Sequence, residues 1–132
     1  MKYLNPADWP RPRGYSNGVE AEGKLVFVAG MIGWDAKGRL MDGFEKQFAQ
    51  ALSNVLAVLK EAHAGPEHIV RMTWFIRELD QYREHQKQIG AHYRTLMGQH
   101  YPAMSVVGVS ELLETDALLE IEATAVIRSH SN

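Results

Sequence analysis

Two periods of hydrophobic residues run through the chain, one of two residues and one of three to four. Lys24 to Met31 (KLVFVAGM) is an apolar, β-rich run bounded by Gly23 and the Gly30 to Gly33 region, which predicts a buried strand. The preceding stretch, Tyr15 to Ala21, is expected to pair with it antiparallel, with Glu22-Gly23 turning the chain. Phe44, Phe48, Leu52, Val55, Leu56 and Leu59 recur at helical spacing and share one face. They predict a helix from about residue 43 to 64. Asp42 with Glu45 forms a capping-box-like start, and Gly65-Pro66 supplies the stop.

Ile69 to Ile76 (IVRMTWFI) is β-branched and aromatic and reads as a strand with Val70, Met72, Trp74 and Ile76 on one side. A second helix is expected from about Asp80 to Gln99, with Tyr82, Ile89, Tyr93, Leu96 and Met97 inward and Gly90 interrupting it. Met104 to Val109 and Leu118 to Ile127 read as strands that form a hairpin through Glu114-Thr115-Asp116. The order ββ-α-β-α-ββ describes a single α+β domain over residues 1–132, a mixed sheet with two helices on one face. Two helices cover only one face. The strands are apolar on both, with Leu25, Phe27 and Ala29 set against Val26 and Val28. Another copy of the chain is the simplest cover for the second face.

Composition narrows the partners. Apolar residues make up 45% and charged residues 23%, which fits an ordinary globular core rather than a disordered chain. A formal charge of −2 with dispersed basic residues argues against a nucleic-acid partner. The sequence contains no cysteine, which removes thiolate sites and disulfides and fits a reducing compartment, with the cytoplasm as the default. The arm from Met1 to Gly14 carries three prolines and no signal-like apolar run, and no stretch is long and apolar enough for a membrane span. The expected partner is a small molecule.

Candidate chemistry centres on the last strand. In Leu119-Glu120-Ile121-Glu122-Ala123, alternation sends both carboxylates to one face between apolar neighbours. Two like charges there would raise each other's pKa, as a carboxylate that takes and returns a proton requires, although structural ion-pair networks produce the same spacing. His85 and His92 stand seven apart without a ligand at helical spacing, so histidines are expected at solvent or interface positions and no metal site is expected. Gly30 and Gly33 lack the context of a nucleotide fingerprint. Ser105 lies in a strand without a nucleophile elbow. Trp34 and Trp74 read as core or interface residues, and Tyr15, in a polar loop, is the aromatic residue kept as a site candidate.

Several segments, taken in order, carry a resemblance. These are Gly14-Tyr15-Ser16-Asn17-Gly18-Val19, Leu25-Val26-Phe27-Val28-Ala29-Gly30, Gln50-Ala51-Leu52 with Asn54, Tyr101-Pro102-Ala103, and Glu120-Ile121-Glu122-Ala123. With them the chain resembles the Rid family, the reactive-intermediate deaminases also called YjgF-like proteins. The resemblance implies a chorismate-mutase-like α+β fold and a homotrimer with ligand clefts at the subunit seams. In deaminating members an amino-acid-derived enamine or imine binds with its carboxylate on an arginine, a glutamate helps water add, and ammonia leaves without metal or organic cofactor.

By position, the resemblance makes Glu120 the water-handling residue and places Tyr15, Gly30, Met31, Met104 and Ser105 around the substrate. Where the family reads Pro-Ala-Arg-Ser, this chain reads Pro102-Ala103-Met104-Ser105, so the arginine clamp is replaced by an apolar, adaptable side chain. Gly90 stands where the family has a cleft asparagine. Met104 is expected close to Glu120 in a seam cleft. Three readings follow: hydrolysis of an enamine or imine that needs no such clamp, a non-catalytic trimeric ligand-binding or regulatory protein, and, far behind, a ribonuclease or translation inhibitor, which the acidic balance disfavours.

Overall fold

The computed structural model describes residues 1–129. Short strands β1 (Lys2–Leu4) and β2 (Gly18–Glu20) pair antiparallel, with Tyr3 opposite Val19. The main sheet contains β3 (Lys24–Met31), β4 (Ile69–Ile76), β5 (Ala103–Gly108) and β6 (Leu119–Ile127) in the spatial order β3-β6-β4-β5. Helix α1 (Phe44–Glu61) links β3 to β4, and α2 (Leu79–Glu84) and α3 (Gln86–Met97) link β4 to β5. This is an α+β fold with a mixed sheet, β4 and β5 being parallel and the other pairs antiparallel. No helix is long and apolar enough to cross a membrane among the described residues.

Five expectations change. The segment before β3 pairs with the N-terminal arm instead of with β3, because Asn5 Oδ1 accepts from the Asn17 amide at 2.8 Å and draws the two together. The hairpin of the last two strands does not form. A β-α-β crossover returns β5 alongside β4, and the long link then carries β6 over to fill the place between β3 and β4. Arg77 holds that link, its backbone N–H donating to Leu118 O at 3.1 Å and its guanidinium to Ala117 O at 3.1 Å.

The other three changes concern the helices. Gly43 at φ 93° is the N-cap of α1 and no side chain caps it, so Asp42 does not play that part. The helix stops at Glu61 because His63 takes the left-handed conformation at φ 58°, two residues before Gly65. The second helix is interrupted at His85, not at Gly90, which lies within α3.

The core forms where the two periods meet. Phe48, Leu52, Val55 and Leu59 of α1 pack on Met72, Trp74 and Ile76 of β4 and on Leu119 and Ile121 of β6. Each such fully buried large side chain contributes about 1.5–3 kcal/mol of burial free energy. Phe48 meets Trp74 edge-on at 4.8 Å between centroids. The other sheet face is open: Phe27 is 73% and Leu25 57% exposed, as the two-sided apolar pattern anticipates.

Candidate functional site

Strand β6 lies between β3 and β4 and presents Glu120 opposite Phe75 and Glu122 opposite Thr73. Both carboxylates therefore share the open face, as alternation predicts. Pairing with β3 jumps from Val28–Ala123 to Met31–Ile121, so Ala29 and Gly30 stand against Glu122 in a bulge. A Cβ at Gly30 would come within 2.6 Å of Glu120 Cδ. Glycine at 30 is what lets the Glu120 carboxyl lie against the strand backbone. Met31, half-buried, resumes the register opposite Ile121.

The loop that leaves this bulge is fixed by α1. Asn54 Nδ2 donates to Ile32 O at 3.0 Å and Trp34 O at 2.8 Å, and Gln50 Nε2 donates to Asn54 Oδ1 at 2.9 Å. Buried Gln47 donates to Met41 O at 3.0 Å and accepts from the Leu118 amide at 2.8 Å, just ahead of Glu120. A Cβ at Gly33 would meet Gln47 Cα at 2.5 Å, so the loop passes this close to α1 only as glycine. Gln47, Gln50 and Asn54 thus brace the loop that follows the strand beside Glu120.

A second cluster occupies the other end of the sheet. Ser16 bridges to Ala103, its amide donating to Pro102 O at 3.0 Å and its hydroxyl to Tyr101 O at 2.6 Å. This tie, after a positive-φ turn at Gly14, sets Tyr15 beside the start of β5. Met104 pairs in register with buried Met72 and so points to the helix-covered side, half-buried. Tyr15 and Met104 line one cavity of about 260 Å³ with Arg13, Trp74, Tyr82 and Val106. An adjoining cavity of about 270 Å³ has Arg94, Tyr93 and Tyr101 in its wall, and the two share Gly14, Trp74 and Tyr82.

Six residues were singled out from sequence, and the fold sorts them into two groups. Gly30 and Glu120 meet at the β3–β6 end, where Met31 follows in the strand with its side chain toward the core; Tyr15 and Met104 meet at the β5 end. Ser105 joins neither, being exposed on the open face opposite Thr73. Met104 and Glu120 lie on opposite faces of the sheet with β4 between their strands, so within one chain they do not form one cleft. The edges β3 and β5 are the two ends of the sheet.

Sequence reasoning missed Arg13, Arg94 and the role of Trp74 as cavity wall. The proline-flanked Arg11 and Arg13 were the available signal. His100 also departs from expectation: it is buried, with Nε2 2.6 Å from Ile69 O and Nδ1 2.6 Å from the Tyr3 hydroxyl. Tyr93 donates to His100 O at 2.6 Å, and burial, aided by Tyr101 and Tyr3, pushes its hydroxyl well above the usual phenol range. Among the described residues, no group of three or more histidine, aspartate or glutamate side chains could hold a metal ion.

The two half-sites can be set against related proteins. The family model described as Endoribonuclease L-PSP matches residues 9–127, spanning both half-sites. The chain belongs to this family. A crystal structure from the Rid protein family, YyfB of unknown function from Yersinia pestis, superposes with a TM-score of 0.82 at 33% identity, covering 96% of this chain and 98% of that one. A RutC family protein of Aquifex aeolicus is 35% identical over 96% of this chain and 99% of its own. The 2-iminobutanoate/2-iminopropanoate deaminase of Salmonella typhimurium is 33% identical over 86% of this chain and 88% of its own. Rid membership, argued above from short motifs, is thus shown by matches along nearly the whole chain.

Proposed function

We propose that this Rid-family protein binds a small reactive enamine or imine in a cleft completed between copies of the chain, and hydrolyses it to a carbonyl compound and ammonia. The observation that carries the reading is the Glu120 carboxyl laid against the Gly30 bulge. There a carboxylate stands beside backbone that a ligand can approach closely. Glu120 takes a proton from water as the water oxygen bonds to the imine carbon and the C=N pair moves to nitrogen. It returns that proton to nitrogen, giving the amino alcohol, and then carries the hydroxyl proton to the amino group, so that the C–N bond breaks, ammonia leaves and the C=O bond forms.

The split between half-sites supports an assembly. Complementary groups at the β3 and β5 ends make a head-to-tail contact, which closes into a ring, and a homotrimer is the ring we propose. The open face with Phe27 and Leu25 supplies apolar area to bury. In that seam Gly30 and Glu120 of one copy, with the Met31 backbone, face Tyr15 and Met104 of the next. Sedimentation equilibrium at micromolar concentration checks the trimer, and a monomer would sink it.

Met104 favours one second reading. Without an arginine at that position, a small imino acid loses a charge-assisted bond that contributes about 1.5–3 kcal/mol, so the cleft would serve as a non-catalytic ligand-binding or regulatory site. Ammonia release across a panel of freshly generated imines separates the two. Release that falls with Glu120→Gln supports hydrolysis, and no release from any member supports binding alone. A formal charge of −2 gives no electrostatic support to an RNA substrate.

A further inference from the structure

The cavities around Tyr15 and Met104 hold an excess of donors. Arg13 stands in the wall of one and Arg94 in the wall of the other, and no carboxylate lines either. Among the described residues neither arginine forms an ion pair or a side-chain hydrogen bond. Trp74, common to both cavities and only 4% exposed, has a buried Nε1–H with no acceptor. A buried N–H without a partner costs free energy and is uncommon in native proteins, and this one lies beneath the wall that both cavities share.

Local structure supports the same conclusion. A Cβ at Gly90 would lie 3.2 Å from Arg94 Nη1, so glycine leaves room for the guanidinium to fold back along α3 toward the cavity. The rest of the wall is aromatic and apolar, with Tyr82, Tyr93, Tyr101, Met104 and Val106. Tyr93 and Tyr101 stack nearly parallel, 5.3 Å apart at 7°, and their hydroxyl groups leave the cavity without an anion of its own. Cationic forks around an apolar chamber select a planar anion attached to an apolar body.

We propose that Arg13 and Arg94, in the walls of two cavities that share Trp74, form an anion subsite that takes the carboxylate of an acid with an aromatic or branched apolar side chain. Met104 then packs on that side chain, and the charge is held by residues outside the Pro102-Ala103-Met104-Ser105 stretch. This deepens the proposed function, resting on a ligand at the Tyr15 half-site, and it narrows the substrates to the imino acids of larger apolar amino acids.

Phenylpyruvate, the stable oxo counterpart of such an imino acid, is the probe. Calorimetric titration of the full chain is expected to show binding, with pyruvate, inorganic phosphate and the uncharged methyl ester of phenylpyruvate each about tenfold weaker or more. Arg13→Gln and Arg94→Gln, both at exposed positions, should each weaken phenylpyruvate about tenfold. In a ¹H–¹⁵N spectrum the Trp74 indole resonance, assigned with Trp74→Phe, should shift when phenylpyruvate is added. Undiminished binding in the double arginine variant, an indole signal that does not move at saturation, phosphate binding as tightly as phenylpyruvate, or no binding at all would each overturn the subsite. Failure of the hydrolase reading appears elsewhere, as an imine panel that releases no ammonia although phenylpyruvate still binds through Arg13.

Discussion

The two ends of the sheet solve the same problem by different means. At the β3–β6 end the site is made of backbone: a bulge at Ala29-Gly30, a glycine that alone fits against Glu120, and a helix whose Gln47 and Asn54 hold the next loop. At the β5 end it is made of side chains from the N-terminal arm, β4, α2, α3 and β5, around two cavities. A group set by backbone cannot change without moving the strand, whereas side chains lining a cavity can be exchanged one at a time. The first end is suited to hold the chemistry constant and the second to vary what is recognised.

The largest expected effect breaks the first end. Glu120→Gln keeps the shape and removes the proton acceptor, so ammonia release should fall about 10²–10⁴-fold with the fold unchanged by circular dichroism. Gly30→Ala attacks the same end through the backbone. Its methyl would contact the Glu120 carboxyl, displacing it and lowering activity about 10²-fold, with about 1–3 kcal/mol of stability lost in urea titration.

Smaller effects belong to the second end. Met104→Arg places a cation beside Tyr15 and should raise hydrolysis of 2-iminopropanoate about tenfold in coupled assays, a gain that Glu120→Gln must abolish. Ser16→Ala removes the hydroxyl that ties the Tyr15 loop to Tyr101 O and should cost about 0.5–1.5 kcal/mol of stability. Its KM should rise more than its kcat falls if Tyr15, as proposed, positions ligand and does not react.

The smallest effect lies away from both ends. Asp35 accepts from the Arg39 and Lys37 amides, and these bonds, Arg39 first, hold its carboxyl below the usual range. A depressed folded pKa gives stability that is present above the unfolded value and lost as pH falls through the folded one. The exposed 35–39 turn should therefore loosen on acidification, seen as faster amide exchange at Lys37 and Arg39, while Asp35→Asn leaves ammonia release unchanged.

The same contrast explains what could be read from sequence. Strand alternation placed Glu120 and Glu122 on one face, and the Gly30 motif lies in consecutive residues, so the first end was legible. The second was not, because Arg13 and Arg94 come to line cavities beside Trp74 only after β5 pairs parallel to β4 and α3 folds over β4. The expected hairpin of β5 with β6 failed for a related reason. Adjacent strands with a polar link favour a hairpin locally, and only the long-range insertion of β6 beside β3 decides otherwise. Helix faces were read correctly, since Phe48, Leu52, Val55 and Leu59 are all buried. Helix ends were not, since a left-handed His63 and an uncapped Gly43 have no strong residue signal.

The claim that each cleft joins the β3–β6 end of one copy to the β5 end of the next is tested most directly by complementation. Glu120→Gln chains and Arg13→Gln chains, each defective at one end, are co-expressed and the mixed oligomers purified through two different tags. If the cleft is shared, every mixed trimeric ring has one seam of three with both ends intact, and ammonia release at substrate below saturation should recover to about one third of the wild-type rate. Mixed oligomers no more active than the parent variants would contradict a shared cleft and place the chemistry within a single chain.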